Sequence, residues 1–182
     1  MPDELVIRHC SPTLAGLKTA NMFVCPCESN EDLRSELTCW NRILCKKGLR
    51  VLPLRYNDKK ALIYLYRPSK LKRDLESAEA CNMLKKCGYN CDSPERCIAR
   101  LRTRLSECKD FPHEIGLFLG YPPEDVKGFI EHRPCKMTGF WKVYGDENEA
   151  KRKFDQFRKC SKVYYNCRCD GCSLERLAVT SN

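Results

Sequence analysis

The sequence predicts an α+β (mixed α/β) fold: a single domain in which a central mixed sheet of about five strands carries helices packed on it. Three observations lead there. Strand-like runs alternate with amphipathic helical stripes along the whole chain. The runs 51–56 and 61–66 flank the polar stretch Asn57-Asp58-Lys59-Lys60, the pattern of a β-hairpin. At 182 residues and 42% apolar content the chain can bury one good core, and it shows neither a linker nor a fixed-period repeat. Residues 1–160 are expected to form that domain, with 161–182 a cysteine-rich C-terminal tail.

Each element has its own justification. Leu5-Val6-Ile7 is short and partly β-branched, which predicts a buried strand over 4–9 that ends near His9-Cys10. A helix is expected next, with Ser11 as cap, Pro12 at its first position, and Leu14, Leu17 and Ala20 inward. Phe23-Val24-Cys25-Pro26-Cys27 reads as extended. A second helix opens at Ser29, with Asp32 three residues on, buries the stripe Leu33, Leu37, Trp40 and Leu44, and stops at Gly48. Pro53 cannot donate to a ladder, so the first hairpin strand belongs at a sheet edge. Residues 69–109 are helical and rich in cysteine; Ser93-Pro94 opens a helix that places Cys97, Leu101, Leu105 and Cys108 on one face. A buried strand over 115–119 should then turn at Gly120 into a helix opened by Pro122-Pro123. Residues 139–144 read as the last strand, and Asp146 with Glu149 caps a long helix with Ala150, Phe154 and Phe157 inward.

Composition narrows the setting. Fifteen cysteines would suit a small secreted disulfide scaffold, but the N-terminus is charged and lacks the apolar core of a secretory leader. No window approaches the ~18 apolar residues of a membrane span. An odd count forbids complete internal pairing, so reduced thiols in the cytoplasm of an anaerobe or strongly reducing host are the expectation. The net charge is +9, and more than half of the excess falls in residues 67–109.

Three stretches carry a resemblance: His9-Cys10-Ser11-Pro12-Thr13-Leu14-Ala15-Gly16-Leu17-Lys18, Phe111 to Ile130, and Gly139-Phe140-Trp141-Lys142-Val143-Tyr144 with Cys160 beyond it. Together they resemble the clostridial proteins grouped as domain of unknown function 3793. The likeness covers nearly the whole chain, including Tyr64-Leu65-Tyr66-Arg67-Pro68 at the hairpin's end. It implies a single cytosolic domain from an anaerobe and brings no activity with it.

Several constellations could carry chemistry. Cys10, placed just ahead of a helix N-terminus, would favour a thiolate; His113 could act as its base, with Glu114 or Asn21 orienting the ring. The plainer reading is a cysteine packed as a small apolar residue. Cys160, Cys167, Cys169 and Cys172 include one C-x-x-C and could hold zinc or an iron–sulfur cluster. Cys81, Cys87, Cys91 and Cys97 form a looser set. Arg96, Arg100 and Arg104 recur every four residues, either to meet an acidic partner such as a small electron carrier or as a solvated face. No nucleic-acid fold signature accompanies them. Ser11, Lys18, Asn21, Tyr121, Asp125 and Trp141 complete a candidate ligand site where two helix starts would meet a cleft. The expected function is a redox- or metal-linked accessory or binding protein. The alternatives are a thiol-dependent enzyme using Cys10 with His113, and a basic interaction module for an acidic protein or nucleic acid.

Overall fold

The computed structural model describes residues 3–57, 59–107 and 110–180, and the chain divides into two compact units. One is built from Met1–Ser69 together with Phe157–Asn182, the other from Lys70–Gln156. The boundary expected after residue 160 falls inside one long helix, because Cys160 and Tyr164 belong to a core rather than to a tail.

The first unit is a three-stranded antiparallel sheet with helices on one face. Strands β1 (Ala20–Pro26), β2 (Arg50–Asn57) and β3 (Lys60–Tyr66) lie in the order β1-β3-β2. The hairpin forms as expected, and β2, which carries Pro53, is an edge strand with a bulge between Pro53 and Arg55. Ala61, Ile63 and Leu65 of β3 point into the core with Phe23 and Cys25 of β1. Helix α2 (Asn30–Leu44) supplies Leu33, Leu37, Trp40 and Leu44, the predicted stripe. Ser29 caps it by accepting from the Asp32 amide, and Gly48 ends the following 3-10 turn at φ 73°. The Asn41 side chain both donates to Val51 O and accepts from Val51 N, which ties α2 to β2.

Residues 4–9, expected to be a strand, are helical: α1 spans Asp3–Leu14. The true period was present in the sequence, since Val6, Ile7, Cys10 and Leu14 recur at helical spacing and all are buried. Ser11 and Pro12 therefore sit inside this helix rather than at the start of a new one. Pro12 has no amide to offer the preceding turn, and beside that gap the Ser11 hydroxyl donates to Ile7 O. Leu17, expected inward, is exposed, and Ala20 opens β1.

One buried cation organises this unit. Arg67 is fully buried and donates from Nε to Thr13 O at 2.7 Å, and from Nη2 to Leu14 O at 2.7 Å and Val179 O at 2.8 Å. The first two acceptors are the end of α1, where unsatisfied carbonyls give a helix its negative pole. Val179 N returns a bond to Leu14 O, so the segment after helix α9 (Leu174–Leu177) is sewn to the same place.

The second unit is mostly helical. Helix α3 (Pro68–Glu76) leads into α4 (Ala78–Lys86) and α5 (Pro94–Glu107), whose Cys97, Ile98, Leu101 and Leu105 are buried. Cys108, expected at the end of that face, lies outside the described residues. The strand expected over 115–119 is a single helical turn, α6 (Ile115–Phe118), followed by α7 (Pro123–Ile130). A run of four buried apolar residues suits either state, and here the turn wins because each amide finds a carbonyl three or four residues back. The strand expected over 139–144 folds back on itself. Gly139 N donates to Trp141 O, leaving only the two-residue strands β4 (Met137–Thr138) and β5 (Lys142–Val143). A three-stranded and a two-stranded sheet thus replace the central five-stranded one. Asp146 caps α8 (Glu147–Cys169) as expected, accepting from the amides of Asn148 and Glu149. No helix among the described residues is long and apolar enough to cross a membrane.

Candidate functional site

The second unit holds a cavity of about 630 Å³ with a wall of aromatic rings. Its construction starts at Asp125. The pair Pro122-Pro123 opens α7, and Asp125 in the first turn faces inward, 4% exposed. Its carboxylate accepts from Trp141 Nε1 at 2.7 Å, Tyr144 N at 2.7 Å and Gly145 N at 2.8 Å. Three donors around one buried anion satisfy it without an opposing charge. They also pin the β4–β5 hairpin against α7.

Trp141 is held by three neighbours. Beyond the bond to Asp125, its indole stacks on Tyr121 with centroids 4.9 Å apart and meets Phe154 edge-on at 4.6 Å. Tyr121 donates its hydroxyl to Phe140 O at 3.3 Å, and burial pushes its phenol above the usual range. Gly116 makes the floor possible, because a Cβ there would lie 2.8 Å from Val126 Cγ2. Phe129, which also lines the cavity, meets the His113 ring in a T-shaped contact at 5.0 Å, and Lys142 Nζ sits 5.4 Å from the Phe129 centroid. Asp110, Phe111 and Lys142 are exposed at the mouth.

The predicted site residues are divided between the two units. His113, Tyr121, Asp125 and Trp141 line this one cavity. Glu114 does not join them: it is buried and accepts from Tyr89 Oη at 2.8 Å and Arg104 Nε at 2.6 Å, so it orients neither His113 nor a ligand. Cys10, Ser11, Lys18 and Asn21 belong to the first unit. Cys10 is completely buried in the middle of α1, not ahead of a helix N-terminus, and burial pushes its thiol far above the ordinary cysteine range. Ser11 is spent on the backbone and Asn21 accepts from Thr13 Oγ1 at 2.7 Å. Lys18 is buried too, which brings its ammonium down to about 8.

The cysteines are free thiols at all fourteen described positions. Cys160 is in the core of the first unit, Cys167 and Cys172 pack against that core, and Cys169 is exposed at the end of α8. Among the described residues no group of three or more His, Cys, Asp or Glu side chains is placed to hold a metal ion. Helical spacing explains this for the tail, since residues seven and nine apart along α8 cannot close around one ion. The arginine stripe is likewise consumed piecemeal: Arg96 pairs with Asp92, Arg100 with Glu107 and Arg104 with Glu114.

Sequence reasoning missed Phe111, Phe129 and Lys142 as lining residues. Phe111 and Phe129 bracket the stretch that supplied the other candidates, and Lys142 adjoins Trp141, so proximity was the available signal.

What this cavity can do follows from what lines it. Among the described residues no cysteine lines it, Asp125 is fully engaged, and the charged or imidazole side chains left are His113, Lys142 and Asp110 near the mouth. Such a site holds a flat apolar body and offers a cation at its rim. Comparison with known proteins finds no match among curated proteins and none among solved structures. A family model does match, over residues 6–178. The chain belongs to the family described as protein of unknown function (DUF3793).

Proposed function

We propose that the second unit is a binding module for a small, flat, largely apolar ligand that carries an anionic group. The observation that carries this reading is the aromatic wall of the 630 Å³ cavity, with Trp141 fixed in place by Asp125 and Lys142 beside it. A ring lodged in the cavity beside Phe111, Phe129 and Trp141 would bury most of its apolar surface, and its carboxylate would reach Lys142 at the mouth. Preorganisation helps, because the rings need not be ordered on binding. A thirteen-atom probe such as 2-naphthoate, at about 0.3 kcal/mol per atom, gives roughly 4 kcal/mol, or a Kd of about 1 mM.

The test uses Trp141 emission in a Trp40→Phe background, which leaves one indole. Titration with 2-naphthoate should change the emission saturably. Lys142→Met should weaken the carboxylate several-fold and leave 2-naphthylmethanol unchanged. An unsaturable response with both probes sinks the reading, as does equal weakening of acid and alcohol.

A further inference from the structure

The first unit has a second concavity of opposite character. A cleft of about 830 Å³ runs between one face of α1, residues 4, 7, 8 and 11, and one face of α8, residues 161, 162, 165, 168 and 169. Each set recurs at helical spacing, so each is a single stripe. Arg8, Lys162 and Arg168 line it, all exposed, and Glu4 is the lone carboxylate among the lining residues. Among the described residues none of the three cations takes part in an ion pair. This differs from Arg96, Arg100 and Arg104 of α5, each of which has its carboxylate. Three cations sharing one cleft repel one another, and an anion set among them relieves that cost.

We propose that this cleft binds consecutive phosphate groups attached to a flat base. The two guanidiniums present the forked donors that match phosphate oxygens, and Lys162 adds a point charge in the same cleft. Lys162 and Arg168 are six residues apart, about 9 Å of helix rise, a span that a triphosphate or two neighbouring phosphodiesters bridge. Tyr165 lies one turn from each and is 65% exposed, which gives the base a ring to stack on. The Ser161 and Tyr165 hydroxyls add donors. An acidic peptide satisfies the charges but not the ring, and its carboxylates sit on separate side chains that must each be ordered.

The full chain is titrated at low salt with adenosine triphosphate, with inorganic tripolyphosphate, with a labelled short oligothymidylate, and with oligoglutamate of matched charge. Saturable binding of the nucleotide or the oligothymidylate, tighter than of oligoglutamate, is expected, and whichever of the two binds more tightly identifies the source of the phosphates. Arg8→Gln and Arg168→Gln should each weaken binding about tenfold, and Arg→Lys at these sites should restore part of it. Tyr165→Ala should weaken the base-bearing probes and spare tripolyphosphate. If the strand is the ligand, log K should fall with log salt at a slope of about −2 for three contacts. Bound probe should also shield exposed Cys169 from alkylation. Lys46→Gln, a surface charge outside the cleft, is the control, and circular dichroism checks that the variants fold. The proposal is overturned if no phosphate probe saturates, if oligoglutamate binds as tightly as the oligothymidylate and the nucleotide, or if Lys46→Gln matches the cleft variants.

Discussion

Replacing Asp125 should cost the second unit much of its stability. Asp125→Ala leaves three donors without their acceptor. Trp141 and Tyr144 are each 8% exposed, so water cannot replace the lost partner at the indole and at the Tyr144 amide, whereas half-buried Gly145 can turn to solvent. At roughly 1–3 kcal/mol for each buried donor left unmade, the loss is about 3–4 kcal/mol, a large part of the ~5–15 kcal/mol that holds a typical domain together. Asp125→Asn keeps an acceptor oxygen but turns an NH2 toward at least one N–H, and should cost about 2 kcal/mol. Urea unfolding followed by Trp141 emission in the Trp40→Phe background measures both. A loss under ~0.5 kcal/mol for the alanine variant would mean that the hairpin is held on α7 by packing alone, and that the carboxylate is incidental.

Gly128→Ala should destabilise by at least about 2 kcal/mol, since its Cβ would lie 2.4 Å from Tyr144 Cγ, and a melting curve reads this directly. Arg67→Met should cost the first unit about 3–5 kcal/mol in urea melts, because the bonds to Thr13, Leu14 and Val179 are lost together, and Arg67→Lys should recover little. Lys18 titrates at about 8 in the folded chain and near 10.5 when unfolded. The unfolded state therefore holds the extra proton between these values, and stability relative to Lys18→Met should rise from about pH 8 toward 10. A constant difference across that window would show that Lys18 is solvated. Native protein kept reduced should alkylate rapidly at exposed Cys39, Cys135 and Cys169, and at buried Cys10, Cys97 and Cys160 only after unfolding, as resolved by peptide mass spectrometry.

Sequence reading succeeded where two independent signals coincided. The stripe of α2 has its Ser29 cap and Gly48 stop, α5 has Ser93-Pro94, and the hairpin has a polar turn between β-rich runs. It failed where a short apolar run stood alone. Leu5-Val6-Ile7 suggested a strand through its branched side chains, yet Val6, Ile7, Cys10 and Leu14 already traced a helix. Residues 115–119 and 139–144 were too short for periodicity to decide, and their form depends on what α7 offers them. The site followed the same rule. Tyr121, Asp125 and Trp141 stood out as aromatics and a carboxylate beside a turn. That Asp125 binds the hairpin, that Glu114 turns toward Tyr89 and Arg104, and that Arg67 sits among backbone carbonyls are tertiary facts with no local trace.

The Arg67 cluster has a bearing on how the chain acquires its structure during synthesis. The bond from Arg67 to Val179 joins positions 112 residues apart, and the whole of Lys70–Gln156 lies between them. A ribosome adds about 5–20 residues each second, so the guanidinium waits several seconds or more for its last acceptor. The inserted unit is contiguous and can condense in that interval, whereas the unit holding the N-terminal helix and sheet cannot close. Until Val179 arrives, that cation and the end of α1 remain hydrated, and the surface destined for α9 stays open to chaperones and proteases. A nascent chain stalled before residue 179 should therefore resist proteolysis across 70–156 and remain cleavable in its first 69 residues.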